Sequence, residues 1–173
     1  GAKLLLWFEP ERVHHGTELA TEHPEWILYR KGENSSQHNG LLDLGNPEAL
    51  EWITNRIDSL IKEYGVAIYR QDFNYDPMPN WIAAESEGRV GAPENQHVQG
   101  YLKFWDDLKA RNPGLIIDSC ASGGRRNDLD TMRRAIPLQY TDVGLGIHPL
   151  KQIQHRYMFE WIPYFRAHTL NFD

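Results

Sequence analysis

One cysteine, Cys120, stands in 173 residues. That excludes an internal disulfide and a cysteine-rich metal centre, and it favours a reducing compartment. No apolar run approaches the roughly 20 residues of a membrane-crossing helix. The leading apolar stretch is short and meets Glu9-Pro10-Glu11 at once, unlike a secretory signal. Positive charge is not in excess: the formal net charge is -6, which argues against a nucleic-acid partner. The eight His are scattered, with no His-x-x-x-His or His-Glu-x-x-His spacing, so no metal site is predicted, and no cofactor. These absences lead to the expectation of a cytoplasmic protein whose partners are neither nucleic acid nor membrane.

Aromatics, by contrast, are plentiful, with six Trp and eight Tyr. Their flat faces suit sugar rings, and they equally suit core packing. The length is enough for one domain with a core. The chain opens directly on the apolar Leu4–Phe8 run and stops at Leu170-Asn171-Phe172-Asp173 without a cap, so both ends are expected to be cuts through a larger fold.

Leu4 to Phe8 is short, continuous and apolar, as expected of a strand buried on both faces. His23 to Gly40 is expected to be a long loop with a turn at Asn39-Gly40, and Leu41 to Leu44 a short strand or extended loop. Asn46-Pro47-Glu48 is a helix start: an N-cap, a Pro at the first position and an acid at the positive end of the dipole. Leu50, Ile53, Ile57, Leu60 and Ile61 recur at helical spacing before Gly65. The strand Val66 to Asp72 follows at once, the second half of a βαβ unit. A long loop around a short helical piece is predicted to Gln96, then a helix marked by Val98, Leu102, Trp105 and Leu108. After Asn112-Pro113-Gly114 come a strand over 115–120, a glycine-bearing turn, a short helix over 128–135, a strand over 138–142 and a helix over 151–161. Each strand ends in polar groups: Glu9, Asp72, Asp118 with Cys120, and Asp142. Several strands delivering functional groups at one rim is the habit of a barrel rather than of a doubly wound sheet. The predicted fold is α/β, a partial (β/α)8 TIM barrel of about four to five βα units of parallel sheet with flanking helices.

Asp72 and Asp142 are the candidate chemical pair. Two carboxyl groups on one rim, one ionised and one protonated, suit glycosidic bond cleavage. Arg70 beside Asp72 is expected to lower its pKa by Coulomb attraction. The plainer alternatives are an Asx-turn residue for Asp72 and a turn acid for Asp142. In Cys120-Ala121-Ser122-Gly123-Gly124-Arg125 the paired Gly allow close approach to a ligand or positive φ. Arg125 and Arg126 are expected to bind hydroxyls or pair with the catalytic acids. No Lys-Ser/Thr follows, so a phosphate loop fails, and no His is placed to activate Cys120 as a nucleophile.

Several segments in order resemble glycoside hydrolase family 36, the α-galactosidases and their relatives. Trp7-Phe8-Glu9-Pro10-Glu11 matches a family segment as it stands, and His23-Pro24-Glu25-Trp26 and Leu42-Asp43-Leu44-Gly45-Asn46-Pro47 are similar to segments that follow. Arg70-Gln71-Asp72-Phe73-Asn74 is similar to Lys-Trp-Asp-x-Asn, whose Asp is the nucleophile. Ser119-Cys120-Ala121-Ser122-Gly123-Gly124-Arg125 with Asp128 is similar to Ser-Cys-x-x-Gly-Gly-Gly-Arg-Phe-Asp. Tyr140-Thr141-Asp142 falls where the family has Thr-Ser-Asp, whose Asp is the acid/base. The resemblance implies a retaining two-carboxylate hydrolase of terminal α-galactosides, acting on an α-galactoside oligosaccharide or an aryl galactoside. It makes Asp72 the nucleophile and Asp142 the acid/base, with Trp7, Glu9, Arg70, Asn74, Cys120, Gly123 and Arg125 as sugar contacts. It implies that residues 1–173 are one partial catalytic barrel domain, roughly strands three to six, without the family's Asp-Asp-Gly-Trp segment. Arg70 stands where Lys is usual, and Gln71 where Trp is usual, which is expected to remove an aromatic wall. The alternatives are an α-N-acetylgalactosaminidase and a weak or inactive sugar-binding fragment. Open strand edges predict self-association into a homo-oligomer.

Overall fold

Strand β1 (Leu4–Phe8) enters the sheet and the chain then leaves it for a small separate unit. Strand β2 (Arg12–Val13), helix α1 (Glu18–Glu22), a single 3-10 turn (Pro24–Trp26), strand β3 (Ile27–Leu28) and strand β4 (Gly40–Leu42) make up this excursion. The strands form an antiparallel sheet in the order β2-β4-β3, pairing Arg12 with Leu41 and Ile27 with Leu42. The predicted long loop is therefore interrupted by the 3-10 turn and β3, and its last residue, Gly40, already belongs to β4. Two-residue strands carry no periodicity; burial of Trp26, Ile27, Leu41 and Leu42 is what orders them. The coordinates are a computed structural model that describes residues 1–138, 142 and 148–161.

Helix α2 (Pro47–Tyr64) starts where the sequence predicts, with Asn46 Oδ1 accepting from the N–H groups of Glu48 and Ala49. It ends on Gly65 in the left-handed conformation, φ +62°. Leu50, Ile53, Ile57 and Ile61 make one buried stripe, each contributing about 1.5–3 kcal/mol. Strand β5 (Val66–Gln71) follows, then helix α3 (Met78–Ala83) and helix α4 (Ala92–Arg111). Helix α4 begins six residues ahead of Val98, because Pro93 supplies a helix start that the apolar spacing does not mark. Its Gly100 is required by packing: a Cβ there would run into the backbone of Leu44. Strand β6 (Ile116–Ser119), helix α5 (Leu129–Met132), capped by Asp128, and helix α6 (His148–Trp161) complete the described elements. Of the strand predicted over 138–142, only Leu138 and Asp142 are described; the rest lies outside the described residues.

The parallel sheet has the order β1-β5-β6, with Trp7, Arg70 and Asp118 abreast and Phe8, Gln71 and Ser119 abreast one residue on. Side chains alternate along a strand, so the two rows face opposite ways. Phe8, Tyr69 and Gln71 face the helices, where Tyr69 meets Phe104 edge-on at 6.1 Å. Trp7, Arg70 and Asp72 face the other way. On that side Leu5 and Trp7 are exposed, Trp7 at 51%. Among the described residues no helix is long and apolar enough to cross a membrane.

Candidate active site

Beyond Gln71 the chain is still paired: the Asp72 N–H donates to Phe8 O at 2.9 Å, and the Cys120 N–H to Gln71 O at 2.8 Å. Asp72 is thus held at the C-terminal end of the central strand, between the ends of its two neighbours. Its Oδ1 accepts from its neighbour's amide, Phe73 N, at 2.7 Å and from Ser122 N at 3.2 Å. Burial pushes the Asp72 carboxyl up, but the Asn74 side chain, the Phe73 N–H, the Cys120 thiol and the Ser122 N–H outweigh it and hold the group below the usual carboxylate range. The direction is the one expected from sequence, with hydrogen-bond donors as the leading cause ahead of the Coulomb attraction to Arg70. Arg70 is drawn sideways to Asp118, with its Nη1 donating to Oδ2 at 2.5 Å, and Asp118 is wholly buried. The second oxygen of Asp118 accepts from Leu138 N at 2.8 Å. Local donors lead in holding Asp72 low, and the Coulomb attraction to Arg70 acts beside them.

The donors come from the turn after β6. Ser122 has φ +46°, a left-handed conformation uncommon for a residue with a Cβ, at a cost of about 1–3 kcal/mol. That twist aims its N–H at Asp72, and places its Oγ within 3.2 Å of Phe73 O and 3.1 Å of Asn74 Oδ1. Gly123 follows with φ +75°, and a Cβ there would come within 2.5 Å of the Asp142 nitrogen and 2.6 Å of its carboxyl carbon. Asp142, itself exposed, therefore lies directly on Gly123. Both predicted carboxylates touch the turn that follows β6. Cys120 is a buried free thiol that burial pushes up to about 11. It stays protonated at neutral pH and acts as a donor to Asp72, not as a nucleophile.

The other predicted contacts divide in two. Trp7, Arg70 and Asn74 stand on or beside the open side of the strand ends. Glu9 and Arg125 are occupied in holding backbone: Glu9 Oε1 accepts from Asn74 N at 2.6 Å while Oε2 pairs with Arg12 at 2.6 Å. Arg125 Nη2 donates to Tyr75 O at 3.2 Å and lies 3.5 Å from Phe73 O. Among the described residues, no group of three or more His, Cys, Asp or Glu is arranged to hold a metal ion. Ser122 carries no sequence signal of its own as an Asp72 donor, because the signal is a backbone angle.

The model of the melibiase family matches residues 1–157. The chain belongs to the melibiase family, glycoside hydrolase family 36. It is 31% identical to the α-galactosidase of Escherichia coli over 136 residues, covering 78% of this chain and 18% of that protein. It is 30% identical to the probable α-galactosidase C of Aspergillus flavus over 125 residues, 71% of this chain and 16% of that one. Among solved structures, the α-galactosidase of Lactobacillus brevis superposes with a TM-score of 0.74 at 24% identity, over 91% of this chain and 21% of that one. The Geobacillus stearothermophilus α-galactosidase AgaA in complex with 1-deoxygalactonojirimycin gives 0.75 at 22% identity, over 88% and 21%. These structural likenesses carry the fold. The chain spans about a fifth of the length of the relatives it matches.

Behind the strand ends, this melibiase-family chain builds a second polar cluster. Gln71 does not line the open side, as expected of a lost aromatic wall, but faces the helices. Its Oε1 accepts from Tyr69 Oη at 2.8 Å and Trp105 Nε1 at 2.7 Å, and its Nε2 donates to Glu11 Oε1 at 2.8 Å. Strand alternation places it there, one residue out of phase with Asp72. Arg126 pairs with neither catalytic candidate, contrary to expectation. It forks onto wholly buried Glu11 at 2.7 and 2.8 Å, and His97 Nε2 meets the same carboxylate at 2.9 Å. Burial pushes Glu11 up, yet Arg126 and His97 bring its pKa down to about 2. A cleft of about 220 Å³ opens beside this cluster, lined by Phe73, Tyr75, Trp81 and Arg126 among others.

Proposed function

We propose that the chain is part of the catalytic (β/α)8 barrel of a retaining α-galactosidase, with residues 1–173 as one partial barrel domain. The observation that carries this is the shared turn: Ser122 donates to Asp72 while Gly123 bears Asp142. One carboxylate sits among fixed N–H and thiol donors that stabilise its ionised form, as a nucleophile requires. The other stands exposed across the same turn, where it can meet a leaving-group oxygen. In this mechanism Asp72 attacks the anomeric carbon as Asp142 protonates the departing oxygen. Asp142 then takes a proton from the water that releases the sugar with its configuration retained. Retention requires the two carboxyl groups to approach to about 5–6 Å around the substrate. Trp7 offers an exposed aromatic face, and Asn74, Gly123 and Cys120 border the carboxylates. The substrate class is an α-galactoside oligosaccharide or aryl α-galactoside; solved relatives include AgaA in complexes with stachyose and raffinose.

The test is hydrolysis of an aryl α-galactoside by the chain and by Asp72→Ala. Turnover is expected to fall on the order of 10⁴-fold, with the α-anomer formed first by wild type in an NMR time course. Full turnover by the variant, or inversion, refutes the assignment. A second reading, an α-glycosidase for another sugar such as α-N-acetylgalactosamine, is favoured by Arg70, which stands where the family has Lys and is tied to Asp118. A substrate panel separates the two. The homo-oligomer expected from open strand edges is tested by sizing the purified chain on a column. Sugar binding without turnover, in a self-associated chain, is the outcome expected if the chain is a non-catalytic fragment.

A further inference from the structure

We infer that Glu11 and Arg126 are positioning residues for Asp72: their buried ion pair grips the nucleophile's two chain neighbours from behind and anchors the turn that hydrogen-bonds it from in front. The part of this that concerns turnover rests on the functional reading above; the part that concerns the geometry around Asp72 does not.

The grip is made on Gln71 and Phe73. Gln71 donates to Glu11 Oε1 at 2.8 Å. The Arg126 guanidinium carbon lies 4.1 Å from the centre of the Phe73 ring and 4.4 Å from that of Tyr101. In an extended segment residues 71 and 73 point one way and residue 72 the other. Holding both neighbours on the helix side therefore sets the direction in which Asp72 leaves the backbone. It also sets the Asp72–Phe73 peptide, whose N–H donates to the Asp72 carboxylate at 2.7 Å. Arg126 itself ends the turn that begins at Cys120 and contains Ser122, so the same ion pair fixes the far end of the segment supplying the remaining donors. Glu11 has both oxygens engaged, by Arg126, Gln71 and His97. It has no capacity left for a ligand, and it touches no group on the open side. A planar fork suits this task where an apolar filler would not, since two parallel bonds fix the guanidinium plane against the ring.

A purely structural ion pair would stabilise the fold without selecting Asp72, and the test separates the two. Four variants of the chain are compared: Glu11→Gln, Arg126→Lys, Phe73→Leu and, as a control of similar destabilisation, Ile57→Ala in the distant α2 stripe. The first readout is the NMR titration of the Asp72 carboxyl carbon, in surroundings that include Arg70, Cys120, Asn74 and the Phe73 and Ser122 amides. It is expected to move up toward the ordinary carboxylate range in the first three variants and to stay in place in the control. The second is turnover of an aryl α-galactoside, where kcat is expected to fall roughly tenfold to a hundredfold with KM little changed. The third uses Arg126→Ala, where added guanidinium ion, small enough for the adjoining cleft, is expected to restore part of kcat and the Asp72 titration. An Asp72 titration that follows only the loss of Tm, as in the control, overturns the inference. If both ion-pair variants fail to fold, Phe73→Leu decides on the same readouts. If the wild-type chain binds sugar but does not turn over, the functional reading fails alone and the titration still judges the positioning role.

Discussion

Asp72 and Glu11 sit on opposite sides of one strand, and the sheet treats them differently. Asp72 is half-buried and surrounded by neutral donors from backbone amides, an amide side chain and a thiol. Glu11 is wholly buried and neutralised by a forked guanidinium. Both carboxyls are held below their usual range, so lowered pKa alone does not mark the candidate nucleophile. What separates them is spare capacity. Every oxygen of Glu11 is committed to protein, whereas Asp72 faces the side of the sheet where Trp7 is exposed. A carboxylate kept ionised by neutral dipoles retains its charge for a substrate; one cancelled by Arg126 does not.

The sharpest way to break that contrast is to delete each group in turn. Asp72→Ala should lose turnover while keeping most of the stability, whereas Glu11→Ala should cost about 3–5 kcal/mol of stability by stranding Arg126. Urea unfolding measures the second effect, and near-equal stability losses would dissolve the distinction. Next in size is Gly123→Ala. The positive φ and the contact with Asp142 together are expected to cost about 1–3 kcal/mol and to displace Asp142, so aryl galactoside turnover should drop more than stability does. Acid stability follows from the depressed Glu11. The folded state binds fewer protons than the unfolded one, so this stabilisation is complete above the unfolded value near 4.5 and is lost as pH falls through about 2. Unfolding measured across that window in wild type and Glu11→Gln should converge at its acid end. The smallest effect belongs to Cys120→Ser, which preserves a donor to Asp72 and is expected to change kcat by less than about fivefold; loss of all turnover would show that the thiol does more than donate.

Local signals in the chain predicted the frame well. Asn46, Pro47 and Gly65 bound helix α2 as read, because caps act within one turn of helix. The three described parallel strands fall where short apolar runs end in polar residues, and the family segments run in order through them. Helix α4 starts ahead of its apolar spacing, and of the small β2-β4-β3 sheet only β4 is legible, as the short strand expected near Leu41, since a proline and two-residue strands leave little periodic trace.

What the sequence by itself determined is that Asp72 ends a buried strand and that a glycine-bearing turn ends the next. Tertiary structure alone decided which charges meet. Arg126 chose Glu11, 115 residues away in the chain, over the carboxylates at the strand ends. Arg70 chose Asp118 over its near neighbour Asp72, and Gln71 turned toward the helices. Periodicity and capping are settled by neighbours a few residues apart. The partner of a charged side chain is settled by which strands lie side by side and which face each residue takes, and neither is written within reach of a single motif.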